Sequence, residues 1–244
     1  MKDVSNIPFA ILAGGLATRL KPITNTIPKS LVVVTDKPFL QHQLELLNKH
    51  GIKKVVLCVG HLGWMIQEYF GDSFMDIKLS YSYDGVTLLG TGGSIRKALP
   101  KLGDTFGVLY GDSYLPIDYI GILKHFIQHN VDGLMTVYNN HNKYDTSNVV
   151  FKNNTIILYD KKNKTSNMTH IDYGFSILKS HLFESYSTNT PFDLSDVIIP
   201  LTNKKMIIGY EVYERFYEIG SPKGLMELET LFTYNTKPDD AASS

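Results

Sequence analysis

The chain is almost without cysteine. Of its 244 residues one is Cys58, inside the apolar run VVLCVG, so a disulfide framework is excluded and the thiol is expected to serve as a small buried hydrophobe. An excess of charge is missing too. With 24 basic against 24 acidic residues, no overall field draws the protein to nucleic acid or to an anionic membrane, and any anion it binds must be met locally. No stretch reaches the roughly 18 apolar residues of a membrane span, and MKDVSNIPFAILAGG lacks the apolar core and cleavage site of a signal peptide. The expectation is a cytoplasmic chain with no nucleic-acid and no membrane partner. Repeats of fixed period, long linkers and a Ser-His-Asp or Cys-His nucleophilic set are absent as well.

What is present is alternation. Short β-rich runs at 8–12 (PFAIL), 53–59 (KKVVLCV), 76–84 and 105–112 are interleaved with helical patterns. In PFLQHQLELLNKHG, Leu40, Leu44 and Leu47 share a helical face, with Pro38 near the start and Gly51 past the end. SIRKALPKLG, YIGILKHFIQHN and SPKGLMELETLFTY read as further helices, and the second half is otherwise mostly short strands. The pattern predicts an α/β, Rossmann-like fold: a mixed, mainly parallel sheet flanked by helices, with a small β-rich portion. One domain over 1–234 is expected, then a frayed tail at 235–244. The polar segment 161–170 (KKNKTSNMTH) reads as a loop over or beside the site. His42, His50, His125 and His129 are placed on helix surfaces or ends, without a second ligand at metal spacing.

The stretch ILAGGLATRLKPITNTIPKSL (11–31) carries the chemistry. Glycines after a strand let main-chain N–H groups approach an anion, Arg19 offers a planar fork suited to a polyphosphate, and Lys29 offers a mobile point charge. Pro22 and Pro28 stiffen the excursion between them. The pattern is neither the Walker form nor the GxGxxG fingerprint. It resembles the signature GGxGTRLxPxTxxxPKxL of sugar-1-phosphate nucleotidyltransferases, with Ala17 in place of the usual third glycine. The resemblance continues through LGTGGSI (89–95), YGDSY (110–114), DYGFSIL (172–178) and YEIGSPKGL (217–225), and so covers almost the whole chain.

That resemblance implies roles for particular residues. Arg19 and Lys29 would be catalytic, and Leu12, Ala13, Gly14, Gly15, Gly90, Thr91 and Gly92 would line the nucleotide site. Asp84 lies just before the second glycine segment, where an acceptor-only carboxylate suits the N–H edge of guanine. Asp112 would hold Mg²⁺, the expected cofactor, with Glu218 standing where relatives carry a second aspartate. The stretch YDKK replaces the family's EEK, so Lys162 is expected on the sugar phosphate, with Lys161 competing. Tyr144, Asp160, Asp172 and Gly174 complete the expected sugar side. The nucleotide half would run to about residue 115 and the sugar-phosphate half over 116–234.

A sugar 1-phosphate is already ionised at neutral pH, so it can attack the α-phosphorus of a nucleoside triphosphate without a general base. The expected partners are therefore a nucleoside triphosphate and a sugar 1-phosphate, and self-association is common in the family. LGTGGSI is similar to heptose 1-phosphate guanylyltransferases and favours GTP, while YDGVTLLGTGGSI also resembles a segment of cytidylyltransferases, leaving CTP or UTP open. A nucleotide-sugar-dependent glycosyltransferase and a non-catalytic nucleotide-sugar sensor stand as alternatives. A glycosyltransferase would show DxD, where this chain has GDS.

Overall fold

Strand and helix alternate along the chain of the computed structural model, which describes residues 4–15 and 25–235. In order, the elements are β1 (Phe9–Leu12), β2 (Val33–Val34), β3 (Lys37–Pro38), α1 (Phe39–Lys49), β4 (Lys54–Val59), α2 (Gly63–Phe70), β5 (Ser73–Phe74), β6 (Ile77–Tyr83), α3 (Gly90–Leu102) and β7 (Thr105–Tyr110). Then follow β8 (Ser113–Tyr114), α4 (Tyr119–Gln128), β9 (Gly133–Asn139), β10 (Val149–Lys152), β11 (Thr155–Tyr159), β12 (His170–Lys179), α5 (Ser195–Asn203), β13 (Ile207–Val212), β14 (Tyr217–Glu218) and α6 (Pro222–Asn235). Arg19 and Ala17 lie outside the described residues.

Ten strands form one mixed sheet, its main path running β11-β10-β12-β7-β1-β4-β6-β5 with β9 joining β12 to β13. The central four, β6-β4-β1-β7, are parallel. After β1 the chain steps outward to β4 and β6, then crosses back to the other side of β1 for β7. In such sheets the reversal opens a crevice at the carboxyl ends of the two adjoining strands, here Leu12 and Tyr110. Beyond β7 the sheet turns antiparallel through β12, which pairs also with β9 and β10.

Alternation along the strands divides the core. Phe9 and Ile11 of β1 pack on one side with Leu40, Leu44 and Leu47 of α1. Ala10 packs on the other with Cys58 and with Ile95, Ala98 and Leu102 of α3. Leu40 and Leu44 are fully buried, a placement worth about 1.5–3 kcal/mol for each leucine. A smaller cluster of Val34, Phe39, Ile219 and Leu228 fastens α6 to the start of α1. Among the described residues no helix is long and apolar enough to cross a membrane.

Three differences from the sequence reading stand out. Helices α2 and α5 were not foreseen, and α3 begins at Gly90 rather than at Ser94. His42 is buried rather than on a surface: its ring stacks on Phe232 at 4.2 Å and Nε2 lies 3.0 Å from the Val34 carbonyl.

Candidate active site

The crevice at the sheet reversal is a cleft of about 360 Å³. Its walls bring together nine of the residues singled out from sequence: Leu12, Ala13, Gly14, Gly15, Lys29, Asp84, Gly90, Thr91 and Asp112. The first loop is held at its root by both neighbouring strands. Ala13 N–H donates to the Cys58 carbonyl at 2.8 Å, and Gly111 N–H to the Leu12 carbonyl at 3.0 Å. Glycine at 14 is needed for space rather than for a left-handed backbone, since a Cβ there would stand 3.1 Å from the Gly60 nitrogen.

Lys29 enters from the single turn Lys29–Leu31 that follows Pro28, whose φ of −67° is the value its ring imposes. Its ammonium meets the Asp112 carboxylate at 2.7 Å. Asp112 is fixed in turn through its backbone, because Ile219 N–H donates to its carbonyl at 2.9 Å. The backbone around Asp112 is also held by Gln43 of α1, whose Nε2 donates to the carbonyls of Tyr110 and Ser113 at 3.0 and 2.7 Å. A cation and an anion 83 positions apart in the chain thus share the floor of one cleft.

The second wall is built around Asp84. It is buried, and its two oxygens accept from Leu89 N–H at 3.1 Å and Ser94 Oγ at 2.7 Å. It braces the turn into α3 while lining the cleft. Gly92 is a packing glycine: its N–H donates to the Phe192 carbonyl at 3.0 Å, and a Cβ would lie 2.3 Å from the Phe192 ring. Thr91 does reach the cleft, and its hydroxyl donates to Asp193 Oδ2 at 3.1 Å while accepting from Leu194 N–H at 2.8 Å.

Of the two lysines at 161 and 162, the first lies against Tyr110, which lines the cleft. Lys161 Nζ donates to Tyr110 Oη at 3.1 Å, lies over the rings of Tyr110 and Tyr159, and stands 3.9 Å from Asp193 Oδ1. Burial opposes its charge, yet Tyr110, Asp172 and Asp193 outweigh that and hold it protonated above the usual lysine range. Burial, with Asp172 adding to it, pushes the Tyr110 phenol up to about 12, so Tyr110 is neutral and Lys161 charged at any working pH. Lys162 is exposed and contributes a main-chain N–H to Asp160 Oδ1.

Asp160 belongs to the same turn. Its carboxylate closes the local turn, accepting from the N–H groups of Lys162 and Asn163 and from Asn163 Nδ2. Asp172 remains beside the crevice, accepting from Tyr159 Oη at 2.9 Å and from Gly174 N–H at 3.1 Å. Gly174 has φ +106° at the register shift of β12, a backbone that disfavours any side chain. Tyr144 stands apart, under the Arg215 guanidinium at 4.0 Å and beside Phe216.

Glu218 stands beside Asp112, since β14 pairs Glu218 with Ser113. Its carboxylate accepts from Gly220 N–H and, at 2.6 Å, from Ser221 Oγ, the hydroxyl that in turn accepts from Gly224 N–H at the start of α6. Among the described residues no group of three or more His, Cys, Asp or Glu could hold a metal. A lone half-exposed carboxylate in a phosphate-sized cleft fits Mg²⁺, which takes one or two carboxylates and fills its octahedron with phosphate oxygens and water. It does not fit a zinc or calcium cage.

Sequence reasoning missed Gln43, Tyr110 and Asp193. Tyr110 lay within the quoted YGDSY, but nothing in its spacing distinguishes an aromatic on the cleft from one in the core.

Residues 10–215 match the nucleotidyl transferase family. The chain is 33% identical over 213 residues to a D-glycero-alpha-D-manno-heptose 1-phosphate guanylyltransferase of Campylobacter jejuni, covering 87% of this chain and 94% of that one. It is 29% identical over 216 residues to the enzyme of the same name from Aneurinibacillus thermoaerophilus, covering 87% and 92%. Among solved structures it is similar to HddC from Yersinia pseudotuberculosis complexed with GMP-PN, with TM-score 0.76 and 24% identity over 93% of this chain and 99% of that one, a likeness that concerns the fold.

Proposed function

Because the chain belongs to the nucleotidyl transferase family, we propose that it joins GTP to a sugar 1-phosphate, releasing pyrophosphate and a GDP-sugar. The observation that carries this reading is the Lys29–Asp112 pair on the cleft floor, in a cleft also lined by Tyr110, to whose hydroxyl Lys161 donates. The preference for GTP and for an acceptor of the manno-heptose kind rests on the two guanylyltransferase relatives.

The attacking atom is a phosphate oxygen of the acceptor. It forms a bond to the α-phosphorus as the bond to the bridging oxygen of the β-phosphate breaks, and the electron pair leaves with pyrophosphate. No proton need move. The protein's task is to position two anions and offset their repulsion. The triphosphate lies against the loop at Gly14 and Gly15, and Lys29 leaves Asp112 to bridge the α-phosphate and the incoming phosphate. Lys161 holds the acceptor phosphate from the opposite side. Arg19, outside the described residues, is assigned to the leaving end by its place in the signature. Asp112 would hold Mg²⁺, which when bound supplies charge neutralisation at the α-phosphate. In this reading the chain to about residue 115 handles the nucleotide and the remainder handles the acceptor.

Pyrophosphate release from GTP and D-glycero-α-D-manno-heptose 1-phosphate, with mannose 1-phosphate alongside, tests the reading. Lys29→Ala and Asp112→Ala should each lower turnover by roughly 10²- to 10³-fold, the scale of losing one preorganised electrostatic group, with unchanged circular dichroism. Near-normal rates in both variants defeat the proposal.

A further inference from the structure

One carboxylate at the edge of the cleft has no part in the mechanism above. Asp193 precedes α5 on a segment clipped to the glycine turn of α3: Phe192 N–H donates to the Leu89 carbonyl at 3.0 Å, and the Phe192 carbonyl accepts from Gly92 and Gly93. Asp193 itself cannot swing, because Oδ1 accepts from Ser195 N–H at 2.8 Å and Oδ2 from the Thr91 hydroxyl at 3.1 Å. Its side chain is nonetheless 50% exposed. A carboxylate offers about four lone-pair sites, so fixing it in this way leaves half of its accepting capacity open toward solvent.

Its position beside Lys161 makes that capacity informative. At 3.9 Å the carboxylate does not capture the ammonium, whose bond goes to Tyr110. The neighbouring carboxylate that precedes Lys161 in sequence, Asp160, is closed on its own turn. Burial raises the Asp193 carboxyl, but the Ser195 and Thr91 hydrogen bonds and Lys161 together hold it below the usual carboxylate range. The edge of the acceptor side therefore offers a fixed cation and, one residue's breadth away, a fixed anion with open lone pairs.

We propose that Asp193 is a specificity residue for the acceptor: it accepts a hydrogen bond from a sugar hydroxyl while Lys161 takes the phosphate, and its charge repels a tetrahedral oxyanion that brings no hydroxyl. The inference rests on the reading of Lys161 as the acceptor-phosphate lysine. A phosphorylated polyol satisfies both groups. Sulfate, fully deprotonated at neutral pH, satisfies the ammonium and meets the carboxylate as a like charge with no proton to donate.

Asp193→Asn tests this, because asparagine can still accept from Ser195 N–H and keep the turn. In the forward assay with GTP, Mg²⁺ and heptose 1-phosphate, KM for the sugar phosphate should rise roughly fivefold, the scale of a partly exposed charged contact, with KM for GTP within about twofold. Inhibition by sulfate, competing for the acceptor site, should tighten by roughly two- to threefold. The opposite signs are the signature: general damage weakens both constants, and simple loss of negative charge tightens both. Two constants moving the same way, or an unchanged KM for the sugar phosphate, overturn the inference. Lys161→Ala should weaken both by about tenfold or more. If it leaves both unchanged, the reading of Lys161 falls and takes the inference with it; failure in Asp193→Asn alone leaves that reading standing. No pyrophosphate from the unaltered chain with any sugar phosphate overturns both.

Discussion

At the scale of single residues, a carboxylate is defined by what its oxygens already hold. Asp112, Asp84, Asp160 and Glu218 were all read from sequence as ligands or contacts, yet three of the four spend both oxygens on nearby groups of their own loop or turn. Only Asp112 of these faces the cleft against a cation. Glu218 gives the sharpest test. Glu218→Gln should leave the Mg²⁺ concentration for half-maximal rate unchanged and lower the thermal midpoint by a few degrees, the equivalent of about 1 kcal/mol for a weakened hold on Ser221, whose hydroxyl accepts from Gly224 N–H of α6. A raised Mg²⁺ requirement with unchanged stability would return the carboxylate to the metal. Residue type and spacing reveal that a carboxylate stands at a strand end. They do not reveal whether Ser221 or Ser94 will reach it first, because such bonds depend on where a turn closes. The choice between Lys161 and Lys162 is illegible in the sequence for a related reason: the Asp160 turn sends one lysine over Tyr110 and the next to solvent, a parity that spacing alone leaves open.

At the scale of elements, the glycine segment was legible as a site and illegible as a helix. Glycine is the poorest helix former after proline, so the sequence pattern placed the start of α3 at Ser94. The structure starts it at Gly90 because Phe192 packs where side chains would otherwise be, with its carbonyl accepting from two helix N–H groups. Gly92→Ala should therefore cost about 1–3 kcal/mol through overpacking, since its Cβ would fall 2.3 Å from the Phe192 ring and 2.9 Å from the Asp193 carbonyl. The same displacement should raise KM for GTP, because Gly90 and Thr91 in the first turn line the cleft. Equilibrium denaturation and a GTP titration read the two effects, and a variant as stable as the parent would mean the 192–195 segment is free to give way. Helix α2 escaped notice because its eight residues carry Trp64 and Tyr69 outward and so blur any apolar stripe. Helix α5 escaped because Pro200 lies within its nine residues.

At the scale of the whole molecule, strand order decides where chemistry can occur, and buried histidine decides when the fold holds. Strand-loop-helix alternation announced a mainly parallel sheet but not the 3-2-1-4 order of its parallel strands, which puts Leu12 and Tyr110 side by side at the crevice. The antiparallel half then brings Lys161, two residues past β11, onto Tyr110, more than a hundred residues after the first loop, which no local pattern could announce. The packing that holds these parts is sensitive to acid at its buried histidines. His42 ties α1 to β2 and to Phe232 of α6, and burial lowers its pKa below 6.5 despite the Val34 hydrogen bond; burial likewise lowers that of His50. A group that is harder to protonate folded than unfolded contributes stability that is complete above the unfolded pKa and is lost as pH falls through it toward the folded one. Glu45 and Asp193, whose carboxyls are also lowered, lose their contributions only below about pH 4.5. Between pH 7.5 and 5 the thermal midpoint should therefore fall, and His42→Gln, which keeps a donor for Val34 but cannot titrate, should flatten the slope. A midpoint that rises on acidification, or a slope identical in the variant, would show that His42 takes up its proton as readily in the fold as outside it.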